Sequence, residues 1–247
     1  MPRPPRPSTA PSSDPVSEAN TRLRRIRSFV LREGRLTRGQ QQALERFWPK
    51  YGVDYREAPL DLSALFGNDR PVILEIGFGN GESLAAQAAA EPQHNFLGIE
   101  VHRPGVGHLL RLIEEQGLTN LRLLHHDAVE VLEHMIPPRA LAGVQIYFPD
   151  PWPKKKHHKR RIVQPAFLRL LATRMQPGAF LHLATDWQDY AEHMVEALHQ
   201  VADLFKNTAG NREYVERPAR RPQTKFERRG QRLGHGTWDL IWRRRAD

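Results

Sequence analysis

Short apolar runs separated by longer amphipathic stretches set the rhythm of this chain from Pro71 onward. Val72–Ile76, Asn95–Glu100, Leu121–His125, Val144–Phe148 and Ala179–Thr185 are dominated by apolar residues. Runs of that length, too short for buried helices, predict strands hidden on both faces. Gly81–Ala90, Val106–Glu115, Val129–His134, Pro165–Arg174 and Asp189–Ala202 predict helices between and after them. Strand and helix in strict alternation imply an α/β fold built on a mostly parallel sheet with right-handed crossovers. A last apolar segment, Thr237–Trp242, follows a long polar stretch and predicts a final strand.

The first sixty residues break that rhythm. Residues 1–20 are proline-rich with almost no apolar content and predict a disordered tail. Residues 21–60 form a basic N-terminal arm carrying Arg22, Arg24, Arg25, Arg27, Arg32, Arg35 and Arg38. Within it, Thr37–Trp48 predicts a helix with Thr37 as its N-cap. Residues 61–247 make up the α/β domain.

Composition narrows the partners. The chain has no cysteine, which excludes a disulfide framework, a thiolate nucleophile and cysteine-bound zinc. No apolar run approaches the roughly 20 residues that cross a bilayer, and the N-terminus lacks an apolar secretory core, so a cytoplasmic protein without membrane attachment is expected. The net charge of +9 over 247 residues calls for a polyanionic partner. No stretch joins a long basic face to a strong apolar one, which favours nucleic acid over an anionic membrane. The twelve histidines show no i, i+4 pairing on a helix, and no metal is expected.

Two loops hold the candidate chemistry. In IYFPDPWPKKKHHKRR (Ile146–Arg161) an apolar run stops at three prolines, which cannot donate to a strand ladder. Asp150 and Trp152 therefore sit at a strand tip, backed by the cations of Lys154–Arg161. An acid and a flat ring beside phosphate-seeking charge suit chemistry on a nucleobase held in a polynucleotide; Trp152 either stacks on that base or anchors the loop. The first strand runs into Glu75-Ile76-Gly77-Phe78-Gly79-Asn80-Gly81. Its glycine spacing differs from a dinucleotide fingerprint, and Glu75 would repel a pyrophosphate but suits a cationic head such as a sulfonium. Glu100 ends the second strand, placed for ribose hydroxyls, and Asp127 ends the third, placed for an adenine amino group. Each alone is more often a helix N-cap than a ligand. Three acids on three successive strand ends beside a glycine loop together fit S-adenosyl-L-methionine.

At these motifs the chain resembles a known family. LEIGFGNG (Leu74–Gly81), GIEVHRPGVG (Gly98–Gly107), FPDPWPKKKHHKRR (Phe148–Arg161), ATDW (Ala184–Trp187) and RPQTKFERRG (Arg221–Gly230) look like segments of the bacterial tRNA (guanine-N7-)-methyltransferases. The resemblance runs from about Thr21 to Trp242 and leaves the proline-rich tail unexplained. It implies a Rossmann-like class I methyltransferase domain with a twisted seven-stranded sheet and helices on both faces. It also implies methylation at N7 of the variable-loop guanine, position 46, in tRNA. By the resemblance Glu75, Gly77, Gly79, Glu100, Asp127 and Asp150 hold S-adenosyl-L-methionine, and Asp150 is also the catalytic position. Lys154, Asp186, Thr224, Lys225, Phe226 and Glu227 match positions that hold the substrate. Lys156, His157, His158, Lys159, Arg160 and Arg161 match the RNA-contacting run. For Asp186 an N-cap role is the competing reading. Rival functions are a base-amine RNA methyltransferase and a non-catalytic RNA-binding protein on a methyltransferase scaffold. Monomer and homodimer stay equally open.

Overall fold

Period-two alternation on strands buried from both sides organises the sheet in this computed structural model. The structure describes residues 28–29, 34–223, 227 and 236–246. The expected disordered tail, most of the arginines of the arm, and Thr224, Lys225 and Phe226 lie outside the described residues. Strands β2 (Val72–Ile76), β3 (Asn95–Ile99), β4 (Leu121–Leu124) and β5 (Leu141–Tyr147) are buried nearly throughout. Ile73 and Phe96 pack into one apolar cluster, whereas Leu74, Ile76, Leu97 and Ile99 belong to a second on the opposite face.

Helices cover both faces. On one lie α1 (Arg38–Tyr51), α3 (Glu82–Ala90) and α4 (Arg103–Gln116). On the other lie α2 (Leu62–Phe66), α5 (Ala128–His134), α6 (Pro165–Arg174) and α7 (Gln188–His199). The remaining strands are β1 (Gly52–Val53), β6 (Met175–Thr185), β7 (Phe205–Asn207) and β8 (Trp238–Arg244). Their order is β1-β4-β3-β2-β5-β6-β8-β7, with β8 antiparallel to both its neighbours and the other pairs parallel.

The sheet thus has eight strands, not the seven expected. At two and three residues, β1 and β7 are too short to show any periodicity in sequence. The chain winds outward from β2 through β3 and β4, then returns to β2's other side as β5. Such a reversal leaves a crevice outside the carboxyl ends of the two central strands.

The predicted N-cap at Thr37 is present as a full capping box: Gln40 N donates to Thr37 Oγ1 at 3.2 Å and Thr37 N to Gln40 Oε1 at 2.9 Å. Helix α1 lies against α4, where Gly107 leaves room for the Gln40 carbonyl and Tyr51 donates its hydroxyl to Glu114 at 2.6 Å. The described part of the arm is therefore knitted into the sheet, through β1 beside β4.

Candidate active site

A cleft of about 890 Å³ opens at the carboxyl ends of β2, β3 and β5. Its floor is the glycine loop, where Gly77, Gly79 and Gly81 take φ values of 77°, 59° and 77°. Those left-handed conformations penalise any other residue. A β-carbon at Gly77 or Gly79 would meet nothing within 4 Å, so the loop's backbone faces open space. Glu100 pins this loop: Gly79 N donates to one carboxylate oxygen at 2.8 Å, and Val101 N and His102 N to the other at 2.7 and 2.9 Å. The N-terminus of α4 presses from behind, because a β-carbon on Gly105 would lie 2.0 Å from the Gly79 carbonyl oxygen. Gly105→Ala is accordingly expected to displace the glycine loop and weaken ligand binding in the cleft by about tenfold or more, the scale of an overpacking strain of about 1–3 kcal/mol. Titration calorimetry with S-adenosyl-L-methionine checks this; unchanged affinity would mean that the loop yields without consequence.

Glu75 closes the inner wall and is 2% exposed. Burial pushes its carboxyl up to about 7; the Glu100 charge adds to the rise, and a hydrogen bond from Gln145 Nε2 at 2.7 Å opposes it. An anion so poorly solvated is stabilised by a cation placed against it. Ser83 Oγ, also in the wall, is buried without a partner among the described residues and offers a hydroxyl to whatever fills the cleft. Asp127 caps α5 by accepting from Val129 N at 2.9 Å, while its neighbours His126 and Ala128 line the cleft.

The outer wall is the Phe148–Pro153 loop. Phe148 and Trp152 both take positive φ, 51° and 47°, so the loop is held in a shape that its residues resist on their own. Three contacts hold Trp152: its indole N–H donates to Ser28 O at 3.1 Å, the Arg160 guanidinium covers its ring at 4.3 Å, and His157 meets it edge-on. These favour the loop-anchoring role over base stacking. Asp150 is exposed on the cleft rim and makes no hydrogen bond to another described residue. Asp186 follows β6 on the same edge, half-buried. It does not cap α7, whose N-cap is Trp187.

The basic run divides into an outward and an inward part. Lys154, Lys155, Lys156 and Lys159 are exposed, the last three on a 3₁₀ turn spanning Lys155–Arg160. Burial, then the charges of Lys156 and Arg160, lower the pKa of the His157 imidazole. Arg161, expected on the RNA surface, is instead 2% exposed. Its guanidinium donates to Pro151 O at 2.9 Å, pairs with Asp189 and lies over the Tyr190 ring. It ties the Pro151 turn to α7, and a buried guanidinium needs such partners. His158 also turns inward, 3.7 Å from Asp189. Glu227, expected at the substrate, is likewise buried: it grips Arg221 through both oxygens at 2.8 and 3.0 Å.

A buried polar chain went unread in the sequence. From Glu75 it passes to Gln145 and then to Tyr147, whose hydroxyl lies 3.1 Å from Gln145 Oε1 and 3.0 Å from His182 Nδ1. His182 Nε2 meets Asp239 at 2.6 Å, and Arg221 donates to both Asp239 oxygens at 2.7 and 2.8 Å. The signal was available as polar letters inside strands otherwise apolar: Gln145 in LAGVQIY and His182 in AFLHLAT.

Fold and cleft together define a class I methyltransferase. A family model described as "Putative methyltransferase" matches residues 69–240. The chain is 57% identical over 233 residues to the tRNA (guanine-N(7)-)-methyltransferase of Alcanivorax borkumensis, covering 94% of this chain and 97% of that one. It is 60% identical over 222 residues to the protein of the same name from Cronobacter sakazakii, covering 90% and 92%. Among solved structures, the 16S rRNA methyltransferase KamB superposes with a TM-score of 0.55 at 18% identity, over 79% of this chain and 99% of that one. The 16S rRNA (adenine(1408)-N(1))-methyltransferase of Catenulisporales acidiphilia, with cosubstrate SAM, gives 0.50 at 16% identity over 78% and 93%. At such identities these two speak for the fold alone. The chain belongs to the tRNA (guanine-N(7)-)-methyltransferase family.

Among the described residues no helix is long and apolar enough to cross a membrane, and no cluster of three or more His, Asp or Glu side chains could hold a metal ion.

Proposed function

We propose that this chain transfers the methyl group of S-adenosyl-L-methionine to N7 of guanine in tRNA, at the variable-loop guanine of position 46, giving 7-methylguanosine. The observation that carries the reading is one cleft lined by Glu75, Glu100 and Asp150, in a chain so similar to enzymes of that name. The donor fits the residues present: a buried carboxylate for its positive end, a glycine loop open to its backbone-sized approach, and an unpartnered Ser83 hydroxyl. When bound, it supplies a methyl group activated by a sulfonium.

The residues do the rest by placement. Glu75 holds the cationic end, Glu100 and Asp127 offer their remaining lone pairs to ribose and adenine, and Gly77 and Gly79 admit the chain of the ligand. Guanine N7 carries a lone pair and no proton, so no general base is needed. What remains is to fix N7 in line with the methyl and to stabilise the positive charge that grows on the ring. Asp150, on the rim with both oxygens available, meets that charge. Lys154 and Asp186 flank the same edge on the substrate side.

The exposed lysines steer and seat the polyanion. Neutralising Lys155, Lys156 and Lys159 together is expected to weaken tRNA binding and to lower the slope of log K against log salt by about 0.7–0.9 for each phosphate left unneutralised. Fluorescence titrations at several salt concentrations read this directly, and an unchanged slope would remove the turn from the interface. The decisive test of the reaction is methyl transfer from labelled donor to unmodified tRNA, followed by nucleoside analysis. A 7-methylguanosine peak that disappears when the variable-loop guanine is replaced supports it; a methylated exocyclic amine in its place would overturn it.

A further inference from the structure

The buried polar chain poses a problem of proton count. Tyr147 has one hydroxyl proton, yet its oxygen lies within bonding distance of Gln145 Oε1 and of His182 Nδ1. With Gln145 Nε2 donating to Glu75, Gln145 Oε1 needs the tyrosine proton. His182 must then donate from Nδ1, while Asp239 at 2.6 Å requires a proton on Nε2 as well. This arrangement is complete only when His182 is an imidazolium, while Glu75 acts as an acceptor alone, as a carboxylate does.

A second arrangement satisfies the same groups. A protonated Glu75 donates to Gln145 Oε1, the rotated amide donates to the Tyr147 oxygen, and Tyr147 donates to a neutral His182 that keeps its Nε2 proton for Asp239. Gln87 supports this alternative. Its Oε1 accepts from Gln145 Nε2 at 2.5 Å, while its own Nε2 is buried without a hydrogen-bond partner among the described residues, the donor that a rotated Gln145 would call for. The two arrangements contain equal numbers of protons: Glu75 loses one and His182 gains one.

We propose that His182 is a positioning residue for the methyl donor, sharing one proton with Glu75 across β5, so that a cation entering the cleft moves that proton onto His182 and leaves Glu75 ionised. This rests on the methyl-donor reading of the cleft. The surrounding charges are suited to it. Facing His182 are Tyr147 from β5, Asp239 from β8, and Arg221, with Arg220 further off. Arg221 is shared by Asp239 and Glu227, and Arg217 stands 3.8 Å from Glu227, so Asp239 does not hold the Arg221 guanidinium alone and an imidazolium beside it adds to its pairing. Burial works against protonation of His182, and Tyr147 is held neutral by burial. Facing Glu75 are Gln145 and the Glu100 charge, and the latter disfavours ionisation until a cation arrives. Loss of the sulfonium charge on methyl transfer then relaxes the pair, favouring the unreacted donor over the product.

Calorimetry with S-adenosyl-L-methionine at pH 7, in buffers of different ionisation enthalpy, counts the protons released on binding. The wild-type protein is expected to release few beyond those of the ligand itself, because the Glu75 proton stays inside. His182→Gln is expected to release roughly half a proton more, since a carboxyl titrating near 7 must empty into solvent. Equal release from both would overturn the proposal. Should the variant fail to fold, nitrogen-15 spectra of histidine-labelled wild type decide. Gain of a proton at His182 Nδ1 on adding the donor supports the proposal, and a neutral ring in both states overturns it. No binding of the donor at all would instead remove the reading on which the proposal stands, and the proposal with it.

Discussion

Asp150→Ala is expected to lower the rate of methyl transfer by about 100- to 1000-fold, the range seen when one preorganised electrostatic partner of a transition state is removed. The position of the residue is the reason. Asp150 sits on the cleft rim at the end of β5, presented by a loop in which Phe148 and Trp152 are both held at positive φ. Its carboxylate is not used by the fold, so removing it leaves no buried group unpaired. Stability should therefore stay within about 0.5 kcal/mol of wild type, as for surface substitutions away from structural features. The donor is gripped deeper, at Glu75 and Glu100, so its affinity should survive as well. Single-turnover rates with saturating tRNA, beside calorimetry for the donor and a mobility-shift assay for tRNA, separate these quantities. A loss of donor or tRNA affinity as large as the loss of rate would show that Asp150 serves binding and not the chemical step.

Apolar runs alternating with amphipathic stretches made most of the architecture legible. The strand predicted over Val72–Ile76 has those bounds, and Pro165–Arg174 is α6 as expected. Strands read too short failed at their exposed or irregular ends: β6 begins at Met175, not Ala179, because Gln176, Pro177 and Gly178 hide its start. β5 begins at Leu141, and its register shifts between Leu141 and Gly143. Such shifts follow from pairing with a neighbour and leave no local mark.

The site was legible in part for the same physical reason. Glycines and acids at strand ends reveal themselves by position, and Glu75, Gly77, Gly79, Glu100 and Asp150 do meet at one cleft. Charge runs reveal less. In KKKHHKRR every letter looks alike, yet Arg161 is buried against Asp189 while Lys159 is exposed. Which cation turns inward depends on a partner 28 positions away, and helical or turn periodicity does not encode that. Glu227 misleads in the same way: expected at the substrate, it is buried against Arg221, and only the fold brings Asp239 to the other side of that guanidinium.

Arg221→Met is expected to be the most destabilising substitution away from the apolar core, at about 3–5 kcal/mol, because it breaks a buried ionic pair by removing one partner. Arg221 is fully buried, and it bridges Glu227 and Asp239, which are 1% and 2% exposed. A methionine fills similar volume and supplies none of the four hydrogen bonds that the guanidinium makes to those carboxylates. The sign of the pH response follows from the remaining groups. In the wild type the pairing with His182 and Arg221 holds the Asp239 carboxyl below its ordinary value, against burial that acts the other way. A depressed folded-state value contributes stability that is present above the unfolded pKa and is lost as pH falls through the folded one. Without Arg221 that contribution shrinks, so the deficit should persist from neutrality down to about pH 4 and narrow only below it, as the wild-type carboxyl itself takes up a proton. Urea denaturation of both proteins at pH 7 and at about pH 2.5 measures it. Arg221→Lys should recover only part of the loss, since an ammonium cannot bridge two carboxylates with a planar fork. A methionine variant as stable as wild type at pH 7 would mean that Glu227 and Asp239 are solvated or protonated once the guanidinium is gone, and that the β8 end of the sheet does not depend on the ion triad.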